Sequence, residues 1–200
     1  CDPVEDVIIY EVATEMEVIE KFFDVIEEYD PDIFIGYNIF GFDYDYIDAR
    51  LLDVGNDWRN IGRLIEEPCG MKCLSWNSGA YGYNKLNILQ CPGRISIDLL
   101  LYIKRDYKLA MYSLNAVSAH FLGENKVDLK YHEMFEIHKN MADSIKKVKE
   151  LTSIEDFNEG FKVLKESSDD KELIQKIQKS IEDNTLTVKY NAQDSVLVIR

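Results

Sequence analysis

Cysteine, proline and histidine are scarce in this chain of 200 residues, with four, four and three of each. So few thiols exclude a disulfide-stapled scaffold, and they fit reduced cysteines inside a cell. Cys69-x3-Cys73 followed by Cys91 invites zinc, but a fourth ligand at metal-site spacing is missing, because His120, His132 and His138 lie far downstream. Scattered loop thiols are the plainer reading. His132 and His138 are six residues apart, which does not stack them on one helical face, and both are expected at the surface. No run of about 18 apolar residues occurs, which excludes a membrane-spanning helix. Residues 1–30 also lack the basic-then-apolar pattern of a secretory signal. Basic residues are nearly absent from one stretch. Residues 1–57 hold 17 Asp and Glu against only Lys21 and Arg50, a balance of -15, whereas residues 58–200 hold 20 acidic and 21 basic side chains. Such acidity argues by itself against a general nucleic-acid binder, since phosphate neutralisation needs Lys and Arg. It fits solvated acidic helices, or a carboxylate-lined site for divalent cations.

What is present is an ordinary globular composition, 46% hydrophobic, at a length that suits one domain or a domain with an appended helical piece. The chain opens on Cys1 rather than Met and stops within Val196-Leu197-Val198-Ile199, so both ends are expected to be cut. Thr14-Glu15-Met16-Glu17 has the form of a capping box. It predicts a helix whose buried stripe is Val18, Ile19, Phe22, Phe23, Val25 and Ile26. Asp30-Pro31-Asp32 should end that helix, and Ile33-Phe34-Ile35 reads as a short buried strand. A second helix is expected from near Phe42, with Ile47, Leu51 and Leu52 on one side. This helix–strand–helix passage opens an α/β layer architecture.

Residues 54–92 carry several glycines and prolines and predict an irregular or hairpin insertion at the rim of the sheet. Arg94 to Asp98 alternates like a strand, Leu99 to Lys108 continues as a helix, and Ser113 reads as the N-cap of another helix that stops at Gly123. The Lys- and Glu-rich stretch 143–183, with Ile145, Val148, Leu151, Phe157, Phe161 and Leu164 at helical spacing, predicts a solvated helical insertion.

Two clusters have chemical potential. Gly36-Tyr37-Asn38-Ile39-Phe40-Gly41-Phe42-Asp43 leaves a predicted strand with the glycine spacing of a phosphate loop, but Phe42-Asp43 stands where that motif needs Lys then Ser or Thr. What remains is an amide, an aromatic ring and a carboxylate at a strand end, where ligands bind in open α/β sheets. The ring suits stacking on a base and the carboxylate suits a metal facing a phosphate. A core Phe with an Asp in the first helical turn accounts for the same residues. Near the C-terminus, Tyr190 and Asp194 fall one turn apart on one helix face. Two-metal phosphodiester cleavage needs carboxylates for the cations and a polar group for the attacking water. Alone, this Tyr-x3-Asp pair is no more than a chance spacing.

In combination, Asn38-x3-Phe42-Asp43 and Tyr190-x3-Asp194 resemble the second and third exonuclease motifs of family B DNA polymerases. Gly93 to Leu100, Lys108 to Ser118 and Phe121 to Leu129 resemble the same family, in the same order. The blend is closest to the delta-type replicative enzymes, including those of large double-stranded DNA viruses. The resemblance covers about Asp2 to Leu129 and resumes at Lys189.

That resemblance implies a ribonuclease-H-like 3′–5′ exonuclease fold of the α/β class, incomplete at its N-terminus with its first strands missing. It implies a parent enzyme that synthesises DNA and proofreads by metal-assisted hydrolysis of the terminal phosphodiester. Asp43 would serve a two-metal site, directly or through water, and Asp194 would be a direct metal ligand. Mg²⁺ is the implied cation, and Mn²⁺ accepts the same oxygen ligands. Tyr190 would hold the nucleophilic water. Asn38 and Phe42 would contact the frayed single-stranded 3′ end of DNA. Ser113 and Leu114 match the family's (S/T)-L-x2-h element in the same grip, although Ser113 is equally a plain N-cap. Lys126 matches its K-x2-h element and would place a cation near the scissile phosphate, although a solvated loop lysine fits as well.

The family's first exonuclease motif, Asp-x-Glu on a central strand, has no match before Asp43, and the 200 residues alone are therefore expected to be inactive. In the parent, the partners would be a primer-template, a sliding clamp contacted through other regions, and no membrane. Its setting would be intracellular, in a host nucleus or a cytoplasmic viral factory. A stand-alone exonuclease of this fold, or a proofreading-dead scaffold domain, are the rival readings.

Overall fold

A computed structural model describes residues 4–79, 82–125 and 129–199. The chain divides into an α/β unit, Tyr10–Gly123 with Leu197–Arg200, and a helical unit, Cys1–Ile9 with Glu124–Val196. Each is described separately.

In the α/β unit, helix α1 (Glu15–Tyr29) begins at the expected capping box. The Thr14 hydroxyl accepts from the Glu17 amide, and the Glu17 carboxylate accepts from the Thr14 amide at 3.2 Å. The helix ends at Asp30, whose left-handed backbone (φ 41°) donates to the Ile26 carbonyl just before Pro31. Strand β1 (Ile33–Gly36) pairs in parallel with β4 (Ile95–Asp98), setting Ile33 opposite Ile95 and Gly36 opposite Asp98. Between them lie a π-helical turn (Ile39–Asp43), helix α2 (Tyr44–Asp53) and an antiparallel hairpin of β2 (Gly70–Ser78) and β3 (Gly82–Gln90). Helix α3 (Leu99–Asp106) follows β4 without a break, and α4 (Leu114–Leu122) runs from Ser113 to the left-handed Gly123. The order of elements agrees with the expected α/β class.

One core joins these pieces: Ile19, Phe23 and Ile26 of α1, Phe40, Tyr44 and Leu51, Trp58 and Ile61, and Cys69, Leu89 and Cys91 at the base of the hairpin. Strands β2 and β3 thus pair as a regular antiparallel ladder, and its base contributes to the core. Cys69 and Cys91 are buried free thiols and Cys73 is exposed. Burial, and then the neighbouring Cys69, pushes the Cys91 thiol up to about 12. Among the described residues, no group of three or more His, Cys, Asp or Glu could hold a metal ion. The expected apolar stripes are wider than the buried ones. Val18 (55% exposed), Phe22 and Leu52 face solvent, because one i, i+4, i+7 row of α1 fills its contact with the core and α2 buries Tyr44 and Leu51.

Much of the acidic excess is tied up in ion pairs. Arg59 meets Glu20, Asp24 and Glu27 of α1, Arg63 meets Asp30 and Asp32, and Arg50 meets Glu15 and Asp53. The Arg94 side chain is 4% exposed and reaches Asp30 at 2.8 Å, while its guanidinium also donates to the Ile61 and Pro31 carbonyls. It thereby fixes the approach to β1 against the approach to β4.

The helical unit contains α5 (Tyr131–Thr152), α6 (Phe157–Ser167) and most of α7 (Lys171–Ile199). Asp156 caps α6 by accepting from the Glu159 amide at 2.8 Å, and Asp170 accepts from the Leu173 amide at 3.0 Å. Met141, Val148, Phe161, Leu164, Ile177 and Ile181 form its core. The buried Ser144 and Ser180 hydroxyls lie 3.0 Å apart and also meet the Asn140 and Lys176 carbonyls, so no polar cost is left open there. Ile145 and Leu151, which share the helical spacing of Val148, are 41% and 50% exposed. Val148 takes the inward position between them. Ile177→Ala is expected to cost about 2–5 kcal/mol through the cavity it leaves. Ile145→Ala should cost less than about 1 kcal/mol. Urea unfolding followed by helical circular dichroism checks both.

Candidate active site

The turn that leaves β1 is built around one buried carboxylate. Asp98 is 2% exposed, at the end of β4. Its Oδ1 accepts from the Asn38 amide at 2.8 Å and the Leu100 amide at 3.0 Å, and its Oδ2 accepts from the Phe40 amide at 3.1 Å. Asp98 is thereby the N-cap of α3 and, across the sheet, the acceptor for the chain leaving β1. Three charge-assisted bonds fill most of the roughly four acceptor positions of a carboxylate.

Asn38 takes the left-handed conformation (φ 65°, ψ 25°), which Asn tolerates better than most residues. Its carbonyl accepts from the Gly41 and Phe42 amides, and its side-chain oxygen folds over Gly41. A Cβ at Gly41 would stand 2.5 Å from that oxygen, and one at Gly36 would stand 2.2 Å from Ile39 Cγ2. The two glycines are therefore close-approach positions rather than a phosphate cradle. The chain then makes a π-helical turn, closed by the Tyr44 amide donating to the Ile39 carbonyl, which buries Phe40 and turns Phe42 and Asp43 outward.

Phe42 is 60% exposed and lies nearly parallel to Tyr46, with ring centroids 5.9 Å apart at an interplanar angle of 13°. Two adjacent exposed rings form a flat apolar face of the kind on which bases stack. Asp43 is exposed at the start of α2, yet its side chain makes no capping bond there. Partial burial, and after it the nearby Asp98 charge, raises the Asp43 pKa above its ordinary value. Its carboxylate oxygens are the hard donors that divalent cations take.

The same exit from β1 is also tied to the approach to α4. The Tyr37 hydroxyl donates to the Tyr112 carbonyl at 2.6 Å, and the Tyr112 hydroxyl donates to the Tyr107 carbonyl at 2.9 Å. The Ser113 hydroxyl accepts from the Ala116 amide at 3.3 Å, so its N-cap role is realised, with its own hydrogen still able to donate. Leu114 and Tyr37 line one apolar cavity of about 220 Å³, together with Ile103 and Phe121. The structure thus brings Asn38, Phe42, Asp43, Ser113 and Leu114 into one unit.

Tyr190 and Asp194 belong to the helical unit, one turn apart on α7, with Tyr190 8% exposed and Asp194 partly buried. Lys126 lies outside the described residues. Sequence reasoning missed Tyr46 and Asp98. Tyr46 was signalled by its i, i+4 spacing from Phe42, and Asp98 by an Asp directly before the helical run Leu99-Leu100-Leu101.

Residues 1–117 match the model of the DNA polymerase family B exonuclease domain. The chain is 37% identical over 145 residues to the DNA polymerase delta catalytic subunit of Glycine max, covering 72% of this chain and 13% of that protein. It is 40% identical over 124 residues to the corresponding subunit of Candida albicans, 62% of this chain and 12% of that one. DNA polymerase 120R of Invertebrate iridescent virus 3 is 34% identical over 143 residues, 69% of this chain and 12% of the viral protein. The chain therefore spans about an eighth of the length of these relatives. By this match it belongs to the family B DNA polymerases, and the part it matches is their exonuclease domain, which is ribonuclease-H-like.

Proposed function

We propose that this chain is part of a DNA-directed DNA polymerase and contributes to a 3′–5′ proofreading site that hydrolyses the terminal phosphodiester of single-stranded DNA. The observation that carries this reading is the outward turn at the end of β1. It presents an aromatic pair, Phe42 and Tyr46, beside a carboxylate that caps nothing. A frayed terminal base stacks on the rings, and Asn38 offers its side-chain carboxamide to the same strand. Leu114 and Ser113 add an apolar and a hydroxyl contact to the grip, and Lys126 adds a cation for the phosphate. Tyr190 orients the attacking water.

Asp43 and Asp194 would hold Mg²⁺, or Mn²⁺ in its place, since both prefer carboxylate oxygen. When bound, the cation supplies an activated water and screens the charge that develops on the phosphate. Two carboxylates do not by themselves complete a two-metal site, so we propose that further carboxylates lie outside these 200 residues and that the fragment alone does not cleave. Residues 54–92, which include the β2–β3 hairpin, and the helical stretch 143–183 are insertions within the exonuclease domain. Primer-template and a sliding clamp are the partners of the whole polymerase, which works inside the cell in a nucleus or a cytoplasmic viral factory.

In a polymerase carrying this chain, Asp194→Ala should lower excision of a labelled 3′ single strand roughly a thousandfold, about 4 kcal/mol at the transition state. Nucleotide addition should stay near the parent's rate. Equal loss of both activities would overturn the assignment. Asp43 supplies a second test, independent of turnover. Its raised pKa favours the folded state in full below the ordinary carboxylate value of 3.8, and that contribution is lost as pH rises through the folded value. Asp43→Asn should therefore raise the thermal midpoint in chelator at neutral pH, with the gain over the parent vanishing below 3.8. Added Mg²⁺ should raise the parent's midpoint and leave the variant's unchanged.

A further inference from the structure

We propose that Asp98 is a positioning residue for the 3′-end grip, holding the Asn38–Asp43 turn in its presenting shape through two backbone amides rather than by touching DNA or metal. The inference rests on the exonuclease reading of that turn and deepens it. Three observations support it. Asp98 is almost wholly buried and spends its oxygens on the Asn38, Phe40 and Leu100 amides, so it has little left to offer a cation. The two cross-sheet bonds bracket Asn38 and Ile39, where the backbone takes up its left-handed step and enters the π-helical turn. Left-handed Asn and π-helical backbone are both less favoured than ordinary helix, and they persist where the surroundings over-determine them. Finally, the parallel register sets Gly36 directly opposite Asp98, which brings the carboxylate level with the first residues to leave β1.

The geometry separates this role from ordinary helix capping. A cap needs only the Leu100 amide, which a Ser or Thr hydroxyl could satisfy with one acceptor. Holding Asn38 and Phe40 as well takes two oxygens on opposite sides of one planar group. Asn at this position keeps the shape and one carbonyl oxygen, but its NH₂ would face an amide donor. The neighbouring brace, Tyr37 hydroxyl to Tyr112 carbonyl, ties the same turn to the start of α4 from its other side, and it does not depend on Asp98.

Asp98→Ala, Asp98→Asn and Asp98→Ser in a polymerase carrying this chain test the proposal by two readouts. The first is amide hydrogen exchange. Exchange over residues 37–43 should rise about tenfold or more in all three variants, as expected for loss of charge-assisted bonds, while α1 and the β2–β3 hairpin keep the parent's protection. The second is excision of a labelled 3′ single strand. Its KM should rise about tenfold, with a smaller change in kcat and unchanged nucleotide addition. Ser should restore protection of α3 but not of the turn. Unchanged exchange over 37–43 in Asp98→Ala, or exchange raised throughout the α/β unit, would overturn the proposal, the second because Asp98 would then be a general stabiliser. A parent polymerase that excises nothing would defeat the exonuclease reading, and with it the grip that Asp98 is said to serve, whereas parent excision with unaltered KM in Asp98→Ala defeats the positioning claim alone.

Discussion

The carboxylate of Asp98, shared among three backbone amides, is the contact on which the presenting turn depends. A short parallel pair of strands leaves its last carbonyls and amides facing the next segment. Burying them without partners would cost about 1–3 kcal/mol each. Asp98 satisfies the first amides of α3 and of the chain leaving β1 together. That arrangement sends one chain into a helix and the other into a left-handed step and a π-helical turn. Phe40 then points into the core beside Tyr44, while Phe42 and Asp43 point outward. Packing and presentation are two faces of a single turn.

The acidity of the first 57 residues acquires a physical reading from the ion pairs. Arg50, Arg59 and Arg63 take up carboxylates from α1 and its exit, so much of that charge is paired at the surface, where solvent screens each pair. Asp43 stands apart from this pattern. It carries no cap, and burial together with the charge of Asp98 raises its proton affinity. A carboxylate whose proton affinity is raised in this way by its surroundings is a candidate functional group.

Local rules recovered much of the chain. The Thr14–Glu17 capping box, the stop at Asp30-Pro31, the strand-to-helix passage at Asp98-Leu99 and the Ser113 N-cap all depend on neighbours within a few residues, and all are present, whereas the strand through Ile35 forms but, contrary to the expected burial, leaves Ile33 and Ile35 49% and 42% exposed. Burial was less legible. Val18, Leu52, Ile145 and Leu151 obey helical periodicity but face solvent, because periodicity identifies an apolar side without fixing how wide the contact is. The role of Asp98 was hidden for a different reason. Its partners Asn38 and Phe40 lie 60 and 58 residues away in sequence, and only strand register brings them together. Gly36 and Gly41 have the spacing of a phosphate loop whose Lys-Ser/Thr the sequence lacks, and the reason for both glycines, close approach of Ile39 and Asn38, is visible only in the folded turn.

If the turn held by Asp98 displays Asp43 to a divalent cation beside the Phe42–Tyr46 face, a bound Mn²⁺ must sit near the backbone amides of that turn. Titration of the isotopically labelled chain with Mn²⁺, read as paramagnetic broadening of backbone amide signals, tests it most directly. Broadening centred on Gly41 to Asp45, and abolished in Asp43→Asn, is the predicted result. Broadening that follows the acidic face of α1 through Glu20, Asp24 and Glu27, and is indifferent to Asp43, would contradict it.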